Sequence, residues 1–173
     1  MSTVFIMIGL SGSGKTTLVR DMIAQYEDAS VWSLNNLRMQ YAYQELGVGR
    51  ELDLWEEPTA AEYQAAWEAT SNDTGFHEMS NIMLGRMIGR AVKGAPLFID
   101  NMNLKAGPRR RLAKRMKSKG LKVNGVYLPC SLKDALARNQ RGLTEEMIRT
   151  HIDQLNSPDS SDFDTLITQG WRV

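Results

Sequence analysis

An eight-residue segment near the N-terminus constrains the fold of this chain more than any other feature. Gly9 to Thr16 read Gly-Leu-Ser-Gly-Ser-Gly-Lys-Thr and match the pattern G-x-x-x-x-G-K-[ST]. The apolar run at residues 3–8 before it predicts a buried parallel strand. The pattern at residues 16–24 after it predicts a helix. A strand, a glycine-rich loop and a helix in this order indicate an α/β fold.

The rest of the chain continues the alternation of strand and helix patterns. Further strands are predicted at residues 30–33, 96–100 and 122–128 and within 165–173. Further helices are predicted at residues 35–46, 59–69, 78–92, 108–120, 131–138 and 144–155. Such alternation is typical of a parallel sheet with helices on both faces. We therefore expect one α/β domain over residues 1–173, with about five parallel strands.

Two of the predicted helices carry more detailed expectations. Thr59 and Glu62 have the spacing of a capping box at the start of the helix at 59–69. In the helix at 78–92, the apolar pattern predicts four side chains that face the core. These are Ile82, Met83, Ile88 and Val92.

Composition excludes several classes of protein. Apolar residues make up 42% of the chain and charged residues 24%, which is ordinary for a globular protein. No apolar run approaches the roughly 20 residues that span a bilayer, and the N-terminus does not have the pattern of a signal peptide. One cysteine and two histidines are too few for a disulfide framework or a Cys/His metal site. We expect a cytoplasmic protein that does not bind membranes.

The eight-residue motif has a specific chemistry. Its glycines let backbone N–H groups turn toward phosphates, and the following helix directs its positive dipole end at them. Lys15 would neutralise the β- and γ-phosphates, and the Thr16 hydroxyl would ligate Mg²⁺. The sequence thus predicts ATP and Mg²⁺ as cofactors. The expected nucleotide-binding residues are Gly9, Leu10, Ser11, Gly12, Ser13, Gly14, Lys15, Thr16 and Thr17.

Three residues further along the chain complete this prediction. Asp100 ends an apolar strand, where ligands bind in open α/β sheets, and is expected to hold Mg²⁺. Arg138 and Arg141 lie between two predicted helices, in a segment (138–144) that could close over the nucleotide as a lid. There an arginine would stabilise charge on the transferring phosphoryl group, so Lys15 and both arginines are predicted to be catalytic.

Four segments together resemble the kinase domain of bacteriophage polynucleotide kinases, within the P-loop kinases that include zeta-toxin-like enzymes. The segments are residues 9–17, 33–38, 99–104 and 138–142, in the order and approximate spacing of that family. The resemblance implies an ATP-dependent phosphotransferase with an alcohol acceptor on nucleic acid. It also implies that Arg38 positions the acceptor and contributes to catalysis, and that Asn35 and Asn103 bind substrate.

One departure from the family concerns the general base. These kinases usually carry an aspartate before the arginine that corresponds to Arg38, and this chain has Asn35 there. An amide does not accept a proton at neutral pH. A substitute carboxylate could come from Glu78, Asp73 or Asp53, or the acceptor could differ, or transfer could be weak.

A different acceptor is the basis of our leading hypothesis, in which the acceptor is the hydroxymethyl group of 5-hydroxymethyluracil in phage DNA. Trp55, Tyr63 and Trp67 could stack on a flipped base or could simply pack against the core. The alternatives are a polynucleotide 5′-hydroxyl kinase, a nucleoside or small-metabolite kinase, and a nucleotide-binding protein without transfer activity. A phage origin would place the protein in the host cytoplasm.

Charge is distributed unevenly along a chain whose net charge is only +1. Residues 105–119 hold eight basic residues and no acid, whereas residues 51–73 hold seven acids and no base. The basic helix could contact a DNA backbone through Arg109, Arg110 and Arg111, or could be a solvated face. His151 is expected at the surface or its boundary.

Overall fold

Five parallel strands form one sheet in the order β2-β3-β1-β4-β5, in a computed structural model that describes residues 2–169. The strands are β1 (Thr3–Ile8), β2 (Ser30–Trp32), β3 (Leu97–Ile99), β4 (Lys122–Tyr127) and β5 (Thr165–Thr168). The central strand β1 pairs with β3 and β4, with Ile6 opposite Ile99 and Gly125. The predicted parallel sheet of about five strands is confirmed. Residues 170–173, the end of the last predicted strand region, lie outside the described residues.

Seven α-helices connect and cover the strands within residues 2–169. They are α1 (Lys15–Ile23), α2 (Leu34–Leu46), α3 (Ala60–Thr70), α4 (Thr74–Val92), α5 (Ala106–Lys117), α6 (Leu132–Ala137) and α7 (Glu145–Gln154). Each corresponds to a predicted helix. The largest difference is at α4, which begins four residues before Glu78 because the Asp73 side chain caps it by accepting from the Phe76 N–H.

Both faces of the sheet are covered by apolar side chains. Alternate residues of a strand point to opposite faces. Val4, Ile6 and Ile8 of β1 therefore pack in one buried cluster with side chains of α4 and α5. Phe5 and Met7 pack in a second cluster with side chains of α1. The predicted arrangement of helices on both faces is confirmed.

The capping box is confirmed, but the predicted core face of α4 is partly wrong. The Thr59 side chain accepts from the Glu62 N–H, and the Glu62 carboxylate accepts from the Thr59 N–H. In α4, Ile88 is buried and Met83 half-buried, whereas Ile82 and Val92 are about half exposed. The buried stripe follows the helical period through Phe76, Ser80, Leu84, Ile88 and Ala91. Ile82 is six residues from Ile88 and falls on another face, and Val92 is the last helical residue.

None of the helices in residues 2–169 combines the length and the apolar character that crossing a membrane requires.

Candidate active site

The glycine-rich loop between β1 and α1 forms the floor of a cavity of about 260 Å³. Gly12 has φ +77°, and a Cβ at this position would lie 2.9 Å from the Ala135 carbonyl oxygen, so only glycine fits. Six of the nine predicted nucleotide-binding residues line the cavity: Ser11, Gly12, Gly14, Lys15, Thr16 and Thr17. Gly9, Leu10 and Ser13 belong to the loop but do not line it, and Leu10 and Ser13 are buried.

Lys15 is the first residue of α1, and its ammonium group is held against the loop. Its Nζ donates to the Leu10 carbonyl at 2.5 Å and faces the Ser13 Oγ at 3.4 Å. Burial lowers the pKa of Lys15 from 10.5 to about 8; the Asp100 carboxylate opposes this shift, and Arg141 adds to it. An ammonium group that is buried and only partly neutralised is strongly stabilised by a nearby anion such as a phosphate.

Asp100 and Thr16 form the predicted metal-binding pair. Asp100 follows β3 and is buried, and its Oδ2 accepts a 2.7 Å hydrogen bond from the Thr16 hydroxyl. A hydroxyl and a carboxylate side by side supply the hard oxygen ligands that Mg²⁺ takes. The residues of 2–169 contain no group of three His, Cys, Asp or Glu side chains that could hold a metal alone. The pair therefore fits Mg²⁺ that also binds phosphate oxygens and water.

The segment after β3 ties the loop, β1 and α2 together. The Asn101 Oδ1 accepts from the Leu34 N–H at 3.0 Å, and the Gly9 N–H donates to the Met102 carbonyl at 3.0 Å. Asn103 has φ +48°, and its Nδ2 donates to the Met7 carbonyl at 2.7 Å. The amide nitrogen of Asn103, a predicted substrate-binding residue, is therefore engaged by the main chain of β1.

A second cavity of about 570 Å³ adjoins the first. The two cavities share part of their lining, namely Ser11, Asn35, Asn101, Met102 and Arg141. The predicted substrate residues Asn35, Arg38 and Asn103 all line the second cavity. Its remaining walls come mainly from α3, the start of α5 and α7.

Arg38 lies at the base of the second cavity, where it is only 4% exposed. Its Nε donates to the Thr70 Oγ1 at 2.9 Å, and its guanidinium lies 4.1 Å from the ring centre of Trp67. Burial lowers the pKa of Arg38, opposed by its contact with Tyr63. The Tyr63 hydroxyl also contacts the Asn35 Oδ1 at 3.3 Å. The Thr70 and Tyr63 side chains of α3 thus hold Arg38 and Asn35 in place.

The predicted lid arginines both line the first cavity. The Asn139 side chain holds residues 139–143 in a tight loop, because its amide bonds both the N–H and the carbonyl of Leu143. Arg141 lies over the Tyr63 ring at 5.4 Å, and its Nη2 is 3.9 Å from the Glu57 Oε2. Glu57 also lines the first cavity, and sequence reasoning missed it because it sits in a loop with no pattern.

None of the three carboxylates suggested as substitute bases lines either of these cavities. Asp73 caps α4 and accepts from the Tyr41 hydroxyl, and the Phe76 N–H is the main cause of its lowered pKa. Glu78 is exposed on α4, and Asp53 lines a third cavity of about 250 Å³, which shares Asn35 and Arg141 with the other two. The second cavity instead contains His151, whose pKa is lowered by burial and by Lys15. His151 is half-buried on α7, which agrees with the expected position at the boundary of the surface.

The three aromatic residues of the stacking hypothesis are not together. Tyr63 and Trp67 line the second cavity. Trp55 packs instead against the cluster of Phe5 and Val19 on the α1 side of the sheet. The packing interpretation is therefore correct for Trp55.

The expectation that Arg109 contacts DNA is wrong. This arginine is 1% exposed, and its guanidinium donates to four carbonyl oxygens, those of Asn103, Leu104, Asn156 and Ser157. Burial lowers its pKa. Arg109 faces the sheet with Ala113 and Met116, whereas Arg110 and Arg111 are exposed.

A phosphate-binding loop, an adjacent Thr–Asp pair and a parallel sheet define the fold of a P-loop kinase. Residues 4–156 match the family described as AAA domain (AAA_33), and the chain belongs to that family. No curated protein matches the chain at a significant level.

Solved structures share this fold at low sequence identity. Kti12 from Chaetomium thermophilum, in complex with ADP-AlF3, has a TM-score of 0.57 and 13% identity over 97% of this chain and 89% of its own. Shikimate kinase from Acinetobacter baumannii has a TM-score of 0.56 and 14% identity over 99% and 86%. A chain of the Pnkp1/Rnl/Hen1 complex has a TM-score of 0.52 and 14% identity over 83% and 40%.

Some of the similar proteins are much longer than this chain. It spans 40% of the Pnkp1/Rnl/Hen1 chain. It spans 46% of a chain of the PezAT toxin–antitoxin system of Streptococcus pneumoniae, with a TM-score of 0.51 and 17% identity over 73% of this chain. These likenesses establish the shared fold.

Proposed function

We propose that this chain is a kinase that transfers the γ-phosphate of ATP to a hydroxyl group of a nucleic acid. The observation that carries the proposal is the shared wall between the two cavities. Asn35, Asn101 and Arg141 border both of them. A nucleotide in the first cavity and an acceptor in the second would meet at these residues, which is the proximity that phosphoryl transfer requires.

The first cavity supports ATP as the donor. Lys15, Arg138 and Arg141 are the cations of its lining, and they would neutralise charge on the phosphates. Thr16 and Asp100 would hold Mg²⁺, which supplies further neutralisation of phosphate charge when bound. The complex of Kti12 with ADP-AlF3 shows that this fold accommodates a nucleotide in a related protein. Use of ATP agrees with a cytoplasmic protein, in the host cell if a phage encodes it.

The second cavity supports a nucleotide unit as the acceptor. Three cations line it, Arg38, Lys105 and Arg141, and no carboxylate does. The rings of Tyr63 and Trp67 add an aromatic wall. This combination suits an acceptor that has both a phosphate and a base, because cations bind the first and rings stack on the second.

Our leading acceptor is the hydroxymethyl group of 5-hydroxymethyluracil in DNA, as in phage DNA hypermodification. It is favoured by Asn35, which replaces the aspartate expected for a 5′-hydroxyl acceptor, and by the aromatic wall. A polynucleotide 5′-hydroxyl is the second candidate, favoured by the position of Arg38 in the cavity and by the likeness to a chain of the Pnkp1/Rnl/Hen1 complex. The likeness to shikimate kinase keeps a small-metabolite acceptor as a further alternative.

The test is a transfer assay with labelled ATP, Mg²⁺ and three acceptors. These are a 5′-hydroxyl oligonucleotide, end-blocked duplex DNA containing 5-hydroxymethyluracil, and a mixture of free nucleosides. A Lys15→Ala variant accompanies each reaction as the inactive control. Label on the end-blocked DNA supports the leading acceptor, and label only on the 5′ end supports the second. Label on neither DNA, with slow ATP hydrolysis that no acceptor stimulates, would refute a nucleic-acid kinase.

A further inference from the structure

The exposed side of α5 carries cations without acidic partners. We call Lys105, Arg111, Lys114, Arg115 and Lys119 the basic ridge. All five are exposed, and within residues 2–169 none has a carboxylate oxygen within 4.0 Å, whereas Arg110 pairs with Asp162 at 2.8 Å and Lys117 with Asp164 at 3.6 Å. The two paired cations are largely neutralised, so the positive potential of this helix comes from the ridge.

The basic ridge begins at the mouth of the second cavity. Lys105 and Pro108, at the start of α5, line that cavity. Arg111 and Arg115 follow Pro108 at positions i+3 and i+7, which places them on the same side of the helix. At a rise of about 1.5 Å per residue, Arg115 lies about 10 Å along the axis from Pro108. Arg111 and Arg115 therefore lead away from the cavity in a row, and Lys114, at i+6 from Pro108, lies to one side of them.

The α3 side of the cavity offers no comparable row of cations. Helix α3 supplies Tyr63 and Trp67 to the lining and carries Glu62 and Glu68 but no cation. Arg50 pairs with Glu56 at 2.7 Å and with Glu62 at 2.8 Å, so these two acids are largely neutralised. A polyanion that enters the cavity is therefore attracted mainly by the α5 side.

We propose that the basic ridge binds the sugar-phosphate backbone of the DNA whose acceptor nucleotide occupies the second cavity. The inference rests on the proposed function and deepens it, because the substrate then is a polymer and not a free nucleotide. Contacts of arginine and lysine with phosphates are independent of base sequence. They position the strand, while the cavity selects the reacting nucleotide.

The experiment measures binding of a fluorescent duplex by anisotropy between about 50 and 200 mM salt. The test variant is Arg111→Ala/Lys114→Ala/Arg115→Ala, which leaves both cavities intact. Two matched controls each remove one exposed arginine: Arg20→Ala on α1, on the other face of the sheet, and Arg110→Ala, whose charge Asp162 already offsets. Binding of a fluorescent ATP analogue and the Tm check that every variant is folded.

We expect the triple variant to bind the duplex about 10- to 100-fold more weakly. Its salt slope should be smaller by about one for each phosphate that the variant no longer neutralises. Each control should stay within about 2-fold of the parent. Unchanged affinity and slope in the triple variant would overturn the proposal. So would a parent protein that binds vesicles of phosphatidylserine but not the duplex.

The outcomes also separate this inference from the proposed function, because binding is measured without transfer. If DNA binding depends on the basic ridge but no DNA is labelled in the transfer assay, the role of the ridge is supported and the kinase assignment is refuted. If DNA is phosphorylated and the triple variant has the same KM for DNA as the parent, the kinase assignment is supported and the role of the ridge in binding DNA is refuted. Transfer to a free 5-hydroxymethyl nucleotide as efficient as to duplex DNA would refute the polymer substrate.

Discussion

The Thr16 hydroxyl donates a 2.7 Å hydrogen bond to the Asp100 carboxylate, and the two residues are 84 positions apart in the sequence. Thr16 lies in the first turn of α1, the helix that follows β1. Asp100 comes directly after β3, the strand that pairs with β1. The parallel pairing of β1 with β3 brings both oxygens to the carboxyl end of the sheet. The two oxygens are therefore adjacent at that end of the sheet.

The first prediction concerns the charge of Asp100. Asp100→Asn keeps an oxygen that accepts from Thr16 but removes the negative charge that Mg²⁺ needs. We expect phosphoryl transfer to fall by about 100-fold or more and the half-saturating Mg²⁺ concentration to rise. Steady-state transfer rates across a Mg²⁺ titration measure both. Asp21→Asn, the same change at an exposed position of α1, is the control. An unaltered Mg²⁺ dependence in Asp100→Asn would contradict the role.

The second prediction concerns the pH dependence of stability. The native pKa of Lys15, about 8, lies below its ordinary value of 10.5. Between these two values the unfolded chain binds the proton and the native chain does not, so this group makes the free energy of unfolding rise with pH. Below pH 8 its destabilising effect is fully present.

Lys15→Met removes this titration and keeps an unbranched side chain. We expect its free energy of unfolding, relative to the parent, to decrease by about 3 kcal/mol between pH 7 and pH 10.5. Urea unfolding at a series of pH values measures the difference directly. The effects of groups distant from Lys15 cancel, whereas His151 and Cys130, whose pKa values Lys15 lowers, add a smaller change. A difference that stays constant with pH would show that burial does not perturb Lys15.

The third prediction compares two neighbouring arginines of α5. Arg109→Met leaves four backbone carbonyl oxygens without their donor, and we expect a loss of about 3 kcal/mol in the free energy of unfolding. Arg110→Met breaks one ion pair between an exposed guanidinium and the Asp162 carboxylate, whose side chain is 8% exposed, and should cost about 1 kcal/mol. Urea unfolding of both variants provides the comparison. Equal losses would mean that the buried guanidinium does not stabilise the fold as its contacts indicate.

The fourth prediction tests the missing base. Asn35→Asp places a carboxylate between the two cavities, where the Tyr63 hydroxyl still has an oxygen partner. We expect the single-turnover rate toward a 5′-hydroxyl oligonucleotide to rise by about 10-fold or more, because a general base contributes at least that much. Asn36→Asp is the neighbouring control; it makes the same change at the next residue and gives up the hydrogen bond that Asn36 Nδ2 donates to the Leu54 carbonyl.

The result also decides between positions for the base. If Asn35→Asp does not change the rate, position 35 is excluded as the site of the general base. His151→Gln then becomes informative, because His151 lines the second cavity and burial keeps its pKa low. If the transfer rate of the parent rises with pH below about 6.5, the ordinary pKa of histidine, loss of that rise in His151→Gln would identify His151 as the group that titrates.

Features set by neighbouring residues were predictable from the sequence. The capping box of Thr59 and Glu62, the strand before Gly9 and the glycine-rich loop all depend on spacings of a few residues, which a single sequence displays. The position of Asp100 followed from one general rule, that ligands bind at the carboxyl ends of parallel strands. Local patterns and sheet topology thus sufficed for the fold and for the nucleotide end of the site.

Features set by distant residues were not predictable. Two acceptors of Arg109 come from Asn156 and Ser157, 47 and 48 positions away, and nothing near Arg109 in the sequence indicates them. Glu57 and His151 enter the site only because a loop and a helix fold against it. The acceptor end is built from such contacts, so its composition became visible only in three dimensions.

The three residues after Asp100 separate the two ends of the site. Asn101 bonds the first residue of α2, Met102 bonds Gly9 of the glycine-rich loop, and Asn103 bonds Met7 of β1. Substitutions of residues that line only the second cavity, such as Gln64 of α3 and Met147 of α7, therefore reshape that cavity without touching the glycine-rich loop. A chain built in this way can change its substrate over evolutionary time and keep its phosphate donor.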